Sequence, residues 1–236
     1  MFRLVAIQLN GVKMRKIPAA KTAPRPYHHG DLRAKLIAAT EALILERGVD
    51  GFSLREVARR AGVSPAAPSH HFGDARGLLS EVAILGFRDF GDALAAADVR
   101  GGDDPQKRLD EQGLAYVAFA ISNPARFLLM FRDDKTDMNY APLVEAGDRA
   151  YGILENAIRA VAGVRPGAPL PQEAFGLLLA TWSIVHGFAH LALGGKFDSA
   201  LEMFQKSGAK KGTKQQAILT TLLPLALRHA PHAKKR

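Results

Sequence analysis

The stretch "FSLREVARRAGVSPAAPSHHFGDARGLL", residues 52–79, decides how the rest of the chain is read. Ser53 and Glu56 have the spacing of a capping box, flanked by Phe52 and Val57 as a hydrophobic staple, so a helix is predicted to start there. Leu54, Val57, Ala58 and Ala61 recur at i, i+3, i+4 and i+7, one inward stripe, and Gly62 breaks it. Ser64 offers a second cap, with Pro65 at the first helical position, where its missing N–H leaves nothing unpaired. On that reading Pro68 is the fourth residue of the new helix and removes only its first intrahelical bond. Gly73 closes this helix, and Asp74 caps a longer one whose apolar positions are Leu78, Leu79, Val82 and Leu85.

Upstream, from Asp31, the residues Leu36, Ile37, Thr40, Leu43 and Ile44 form one more apolar helical face, stopped by Gly48. A supporting helix followed by two helices across a tight turn is a helix-turn-helix unit, whose last helix can enter a major groove. Immediately before it, "RKIPAAKTAPRPYHHG", residues 15–30, combines three prolines with four cations. Few large apolar groups accompany them, so an extended, mobile arm is expected.

Downstream the chain reads as helix throughout. Residues 101–105 form a linker, with helices expected near 105–121, 124–132, 141–162, 171–193 and 214–229. Pro105, Pro124, Pro142 and Pro171 each stand at or near a helix start, the tolerated place for proline. The stretches 164–171 and 206–215 read as loops, and neither a convincing strand nor an internal repeat is evident.

The net charge of +9 is unevenly spread: +6 over residues 1–30, zero over 31–90, −4 over 91–195 and +7 over 196–236. Basic ends favour a polyanionic partner, nucleic acid before membrane. The absence of cysteine excludes a disulfide framework, a thiolate metal site and a cysteine nucleophile, and a reducing cytoplasm is the simplest setting. No apolar run approaches the roughly 20 residues of a spanning helix, and no membrane partner is expected. The start is too short in apolar residues for a secretory signal, and Met14 offers an alternative start.

Residues 52–79 resemble the DNA-binding half of the TetR/AcrR family of bacterial transcriptional regulators, with the A-G-V-S turn, the H-F pair and the following L-L in register. The resemblance covers residues 30–90. "TWSIVHGFAHLAL", 181–193, is similar to the W-H-G signature of one branch of that family at Trp182, His186 and Gly187, and "NPARFLLMF", 123–131, to the stretch preceding it. The resemblance implies that Ser53 and Arg55 reach the DNA backbone or a nearby base edge. It also implies that the helix after Ser64 lies in the groove, with Pro65, Ala66, Ala67, Ser69 and His70 as candidate contacts and His71 on a phosphate. Such a helix start presents free N–H groups and a positive dipole end to phosphate. Ser69 stands where the family usually has an aromatic, and Ala75 where it often has lysine. Arg76 and the basic arm are expected to substitute.

Elsewhere, His186 and His190 share one helical face at the spacing of two metal ligands, but Gly187 occupies the place where a zincin has glutamate. No metal and no other cofactor is expected. Tyr116, Phe119, Phe127, Met130, Phe131, Trp182 and His186 are candidates for an effector pocket, against the plainer reading of aromatic and methionine core. Asp133, Asp134 and Asp137 read as a solvated cluster. No phosphate loop, no G-x-S-x-G and no framed carboxylate pair is found, so no catalytic residue is assigned.

The chain is thus expected to be all-α: a basic arm (1–28), a three-helix DNA-binding domain (29–90) and a larger helical domain (91–236). The last would bind a small-molecule effector and dimerise through 171–193 and 216–229, whose apolar faces are too large to leave exposed. A cytoplasmic homodimer on an inverted-repeat, double-stranded operator, acting as a ligand-responsive repressor, is the expected function. The alternatives are a sequence-indifferent DNA binder and a metal-dependent helical enzyme using His186 and His190.

Overall fold

The structure, a computed structural model, describes residues 29–199, 202, 203, 218 and 223. The basic arm at 1–28, the loop at 206–215 and almost all of the helix expected at 214–229 lie outside the described residues. The described residues form eight α-helices and contain no strand.

Helices α1 (His29–Arg47) and α3 (Ala67–Phe72) pack on the first half of α4 (Ala75–Gly101), and α2 (Leu54–Ala61) packs on α1 and α3. Leu36, Leu43, Ile44, Val57, Leu78 and Val82 form the centre of this head and are almost wholly removed from water. Full burial of such a side chain is worth about 1.5–3 kcal/mol, which is what holds the short α2 and α3 in place. Gly48, at φ 73°, ends α1 by donating its N–H to the Ile44 carbonyl at 2.8 Å, a left-handed stop as the sequence indicated.

The second half of α4 packs against α5 (Pro105–Ser122), α6 (Pro124–Met130) and α7 (Ala141–Val161), and α8 (Gln172–Leu193) lies on α5 and α7. Asp104 caps α5, its carboxylate accepting from Gln106 N at 2.9 Å and Lys107 N at 3.3 Å, and Pro105 opens the helix. The chain turns by 111° between α5 and α6 at Asn123. Phe90, Leu94, Val117, Phe127, Val185 and Ala189 form the body core.

Residue 90 falls inside α4, which crosses from the head core to the body core without a break. The head core also takes Leu129 from α6 and Leu143 and Ala146 from α7. Head and body therefore share packed helices rather than a linker. Ion pairs reinforce the seam: Arg126 on α6 reaches Glu41 at 2.5 Å and Asp89, and Arg132 after α6 reaches Asp50 at 2.8 Å.

One expectation needs correction. Helix α8 has 22 residues with a mean hydropathy of 1.5 over its most apolar window, long and apolar enough to cross a membrane by length and composition. Polar residues such as Ser183, His186 and His190 break up its apolar stretches, so its length and overall hydropathy are not evident from the runs alone. Its inner side, with Leu178, Val185 and Ala189, belongs to the cores, while Phe175, Leu179 and Leu191 are exposed on its outer side.

Candidate nucleic-acid interface and ligand cavity

Ser53 occupies the cap position of α2 in extended backbone, φ −145° and ψ 119°, but its side chain makes no capping bond. The expected capping box is absent because Glu56 is taken by stronger donors. Its carboxylate accepts from Arg59 at 2.7 and 2.8 Å and from Arg60 at 3.1 Å, charge-assisted bonds that outcompete a backbone N–H. The hydrogen bonds from Arg59 first, and from Arg60 next, hold the Glu56 carboxyl down at about 2. The Ser53 side chain stays exposed at the helix start.

Gly62, at φ 68°, donates to the Arg59 carbonyl, and Val63 N donates to Ala58 O at 3.0 Å, the doubly bonded stop that only a left-handed residue permits. The following helix starts later than the sequence suggested. Pro68 has no N–H to give the Ser64 carbonyl, which instead takes Ala67 N at 3.0 Å in a tight turn. The α-helical register begins at Ala67, with Ala66 as cap, Pro65 in the turn before it and Pro68 in the first turn. Pro68 thus breaks no established helical bond, and its buried ring anchors the underside of α3.

This turn and the short helix after it leave Ser64, Pro65, Ala66, Ser69 and His70 exposed, with Ala67 and His71 half-buried. The His70 and His71 rings meet edge-on at 5.6 Å, and the Arg33 guanidinium lies over Phe72 at 5.4 Å. Between the starts of α2 and α3 runs a groove lined by Arg47, Ser53, Arg55, Glu56, Arg59 and Pro65. Of its arginines, Arg47 and Arg59 are bound to acidic groups, whereas Arg55 is exposed and has no ion pair among the described residues. Arg76 is turned toward the body, donating to the Asp134 carbonyl at 3.3 Å.

The helical body holds a half-open cavity of about 300 Å³ between α4, α5, α7, α8 and the loop after α6. Tyr116, Met130, Phe131 and Trp182, four of the expected residues, line it. The other three do not: Phe119 and Phe127 are buried in the adjoining core, and His186 stands behind Tyr116. Trp182 Nε1 can only donate, and it does so to the Tyr116 oxygen at 3.4 Å. We assign the Tyr116 proton to His186 Nδ1, 2.7 Å away, which makes the imidazole the Nε2-protonated neutral form. Burial first, and His190 second, hold His186 below its ordinary value of 6.5, while burial pushes the Tyr116 phenol up. His186 and His190 rings lie 4.6 Å apart, but no third ligand joins them among the described residues.

Sequence reasoning missed Gln112, which lines the cavity and is 3% exposed. A signal was present: Leu109, Gln112 and Tyr116 share one face of α5, and a polar residue within such an apolar stripe is a candidate contact.

Residues 36–82 match the family described as "Bacterial regulatory proteins, tetR family", and residues 109–207 match "Tetracyclin repressor-like, C-terminal domain". The chain belongs to the TetR family. The HTH-type transcriptional regulator BetI of Burkholderia cenocepacia and that of Burkholderia thailandensis are each 42% identical to it over 77 residues. Those matches span 33% of this TetR-family chain and 40% of the BetI chains. A solved protein of unknown function from Rhodococcus sp. RHA1 is 32% identical, with a TM-score of 0.64, covering 88% of this chain and 99% of its own. The TetR family transcriptional regulator PfmR from Thermus thermophilus shares the fold at 20% identity, with a TM-score of 0.55 over 82% of this chain and 97% of that one.

Proposed function

We propose that this TetR-family protein is a sequence-specific transcriptional regulator that binds an inverted-repeat operator as a homodimer and responds to a small molecule. The observation that carries the reading is the exposed turn and start of α3, with small side chains at 64–69 beside the exposed Ser53 and Arg55, the latter without an ion pair among the described residues. A helix so mounted brings its start to the floor of a major groove, while Ser53, Arg55 and His71 meet the flanking phosphates. Pro65, Ala66, Ala67, Ser69 and His70 offer little side-chain reach, so recognition rests on fit and backbone contact more than on long side chains.

Organisation follows the same reading: a head at 29–90, a body from 91 that holds the effector cavity, and an arm at 1–28 that tracks the DNA beside the head. Arg76, held to the loop after α6, serves the seam first and DNA second. The outer face of α8 supports dimerisation, since Phe175, Leu179 and Leu191 are exposed along it and Gly176 and Gly187 open space between them. Two heads about 34–36 Å apart then read successive major grooves. The TetR family supports repression in the cytoplasm as the mode of action, and the reading assigns no catalytic step and no cofactor.

Footprinting the purified protein on its own upstream DNA against random competitor tests this. A discrete, two-fold-symmetric footprint is expected. Uniform protection of all duplexes would replace the reading with sequence-indifferent binding.

A further inference from the structure

The lining of the body cavity points to a class of ligand, an inference that rests on the reading of that cavity as an effector site. Its walls are largely apolar, from Phe90, Phe131, Tyr151 and Trp182 among others, and among the described residues no lysine or arginine lines it. Its polar members are few. Tyr116 and Trp182 are engaged with each other and with His186. Thr181 has a hydroxyl that gives or takes a bond, and Asp133 and Asp148 are exposed carboxylates without an ion pair among the described residues.

Gln112 is the decisive group. Its Nε2 donates to Asp98 Oδ1 at 2.8 Å, and Asp98 is itself fixed by Arg108 Nε at 2.9 Å. A carboxylate only accepts, so the amide cannot flip, and the oxygen is left as the free acceptor of a residue in the cavity wall. That Oε1 is the one buried side-chain polar atom without a partner among the described residues. A buried acceptor left empty is costly, and a ligand that supplies a donor recovers that cost on binding.

We infer that the cavity takes an apolar molecule whose polar head donates a hydrogen bond and carries no negative charge, with Gln112 Oε1 as its acceptor. A hydroxyl or an ammonium head fits. A carboxylate or phosphate does not, because it would meet an acceptor within and two carboxylates at the lining, with no cation among the described lining residues to balance it. At about 300 Å³ the space is at the lower end of small-molecule sites, which suits one short chain or one ring with a short tail.

Trp182 is the only tryptophan in the chain and lines the cavity, so its fluorescence reports occupancy directly and without DNA. The probes are phenylbutanol, phenylbutylamine, butylbenzene and phenylbutyrate, which share one apolar skeleton. The alcohol and the amine are expected to bind about five- to tenfold more tightly than butylbenzene, the worth of one recovered hydrogen bond. Phenylbutyrate is expected to bind more weakly than either. Gln112→Met should remove the advantage of the alcohol over butylbenzene while leaving butylbenzene unchanged, and circular dichroism identifies a variant that has lost its fold. The comparison of the four probes on the unaltered protein stands without the variant. Equal binding of alcohol and butylbenzene, preference for phenylbutyrate, or no response to any probe would overturn the assignment. A missing operator footprint alongside the expected probe order would instead remove the regulatory reading and leave the ligand class standing.

Discussion

Replacing Gly77 by alanine tests whether the junction of α3 and α4 sets the pose of the recognition helix. Gly77 lies in the first turn of α4 and donates its N–H to Asp74 Oδ1 at 2.8 Å. Its Cβ would fall well inside 3.0 Å of the Phe72 carbonyl oxygen, at the end of α3. The obstacle is backbone, so no side chain can swing aside: either α3 moves or α4 loses its first turn. Overpacking costs about 1–3 kcal/mol, and a backbone obstacle places this case at the upper end. Against that stands about 0.5–1 kcal/mol gained by replacing glycine with alanine in a helix. The net loss is about 2 kcal/mol, which for a chain of this size lowers the melting temperature by about 4–8 °C. Gly152→Ala in α7 is the control, since nothing stands within 4 Å of its Cβ, and it should leave stability level or slightly raised. Thermal melts of both variants, with operator affinity measured well below the transition, decide the matter. If Gly77→Ala melted like the control and bound the operator as the parent does, the α3–α4 junction would not control the head, and the geometric argument would fail.

Arg55→Ala should weaken operator binding, lower the slope of log affinity against log salt by about one, and leave the melting temperature unchanged; a salt series of binding isotherms reads all of this. Glu56 is depressed in the folded head, so the stability it contributes is complete above about pH 4.5 and is lost as pH falls toward 2. Acid melts of Glu56→Gln should therefore show a shallower decline over that window than the parent. Tyr116→Phe leaves His186 Nδ1 without its donor and should destabilise the body by about 1 kcal/mol, with an altered Trp182 emission, as urea unfolding followed by fluorescence would show. His186 is likewise held low by burial, so its contribution is full above about pH 6.5 and declines below it, and Tyr116→Phe should change that acid limb.

The helices and the helix-turn-helix unit were legible because their signals are local. Gly48, Gly62 and Gly73 all take positive φ where a stop was expected, and Asp74 caps as its position suggested. Misreadings came where two local rules competed for one atom. Glu56 had a backbone N–H and two guanidinium groups within reach, and only the fold shows that the arginines win. The Ser64 carbonyl had Pro68 at its α-helical partner position, and the consequence was a helix displaced to Ala67. The cavity was half legible, since aromatic spacing does not say whether a ring faces a void or a core. Phe127 and Phe131 lie four apart on neighbouring turns, yet Phe127 is fully buried and Phe131 lines the cavity.

A ligand-responsive head requires that cavity and α3 share a moving part, and the segment 131–140 is so placed. Phe131, Asp133 and Met138 line the cavity. The residues between them fasten to the head: Arg132 and Lys135 hold Asp50 at 2.8 and 2.9 Å, the Asp134 carbonyl takes Arg76, and Asp137 N donates to the buried Ser80 hydroxyl at 2.8 Å. Alternate residues of one short loop therefore face the two sites, so a ligand that displaces Phe131 or Met138 pulls on Asp50 and Arg76, which flank α2 and α3. The ion pairs are exposed and screened by solvent, so each contributes little. Allosteric coupling between sites runs at about 1–3 kcal/mol, or about 5- to 150-fold in affinity. A seam made of a few weak bonds matches that scale. A stronger, fully buried seam would hold the head in one pose whatever the cavity contained, and a single exposed pair would transmit too little to matter.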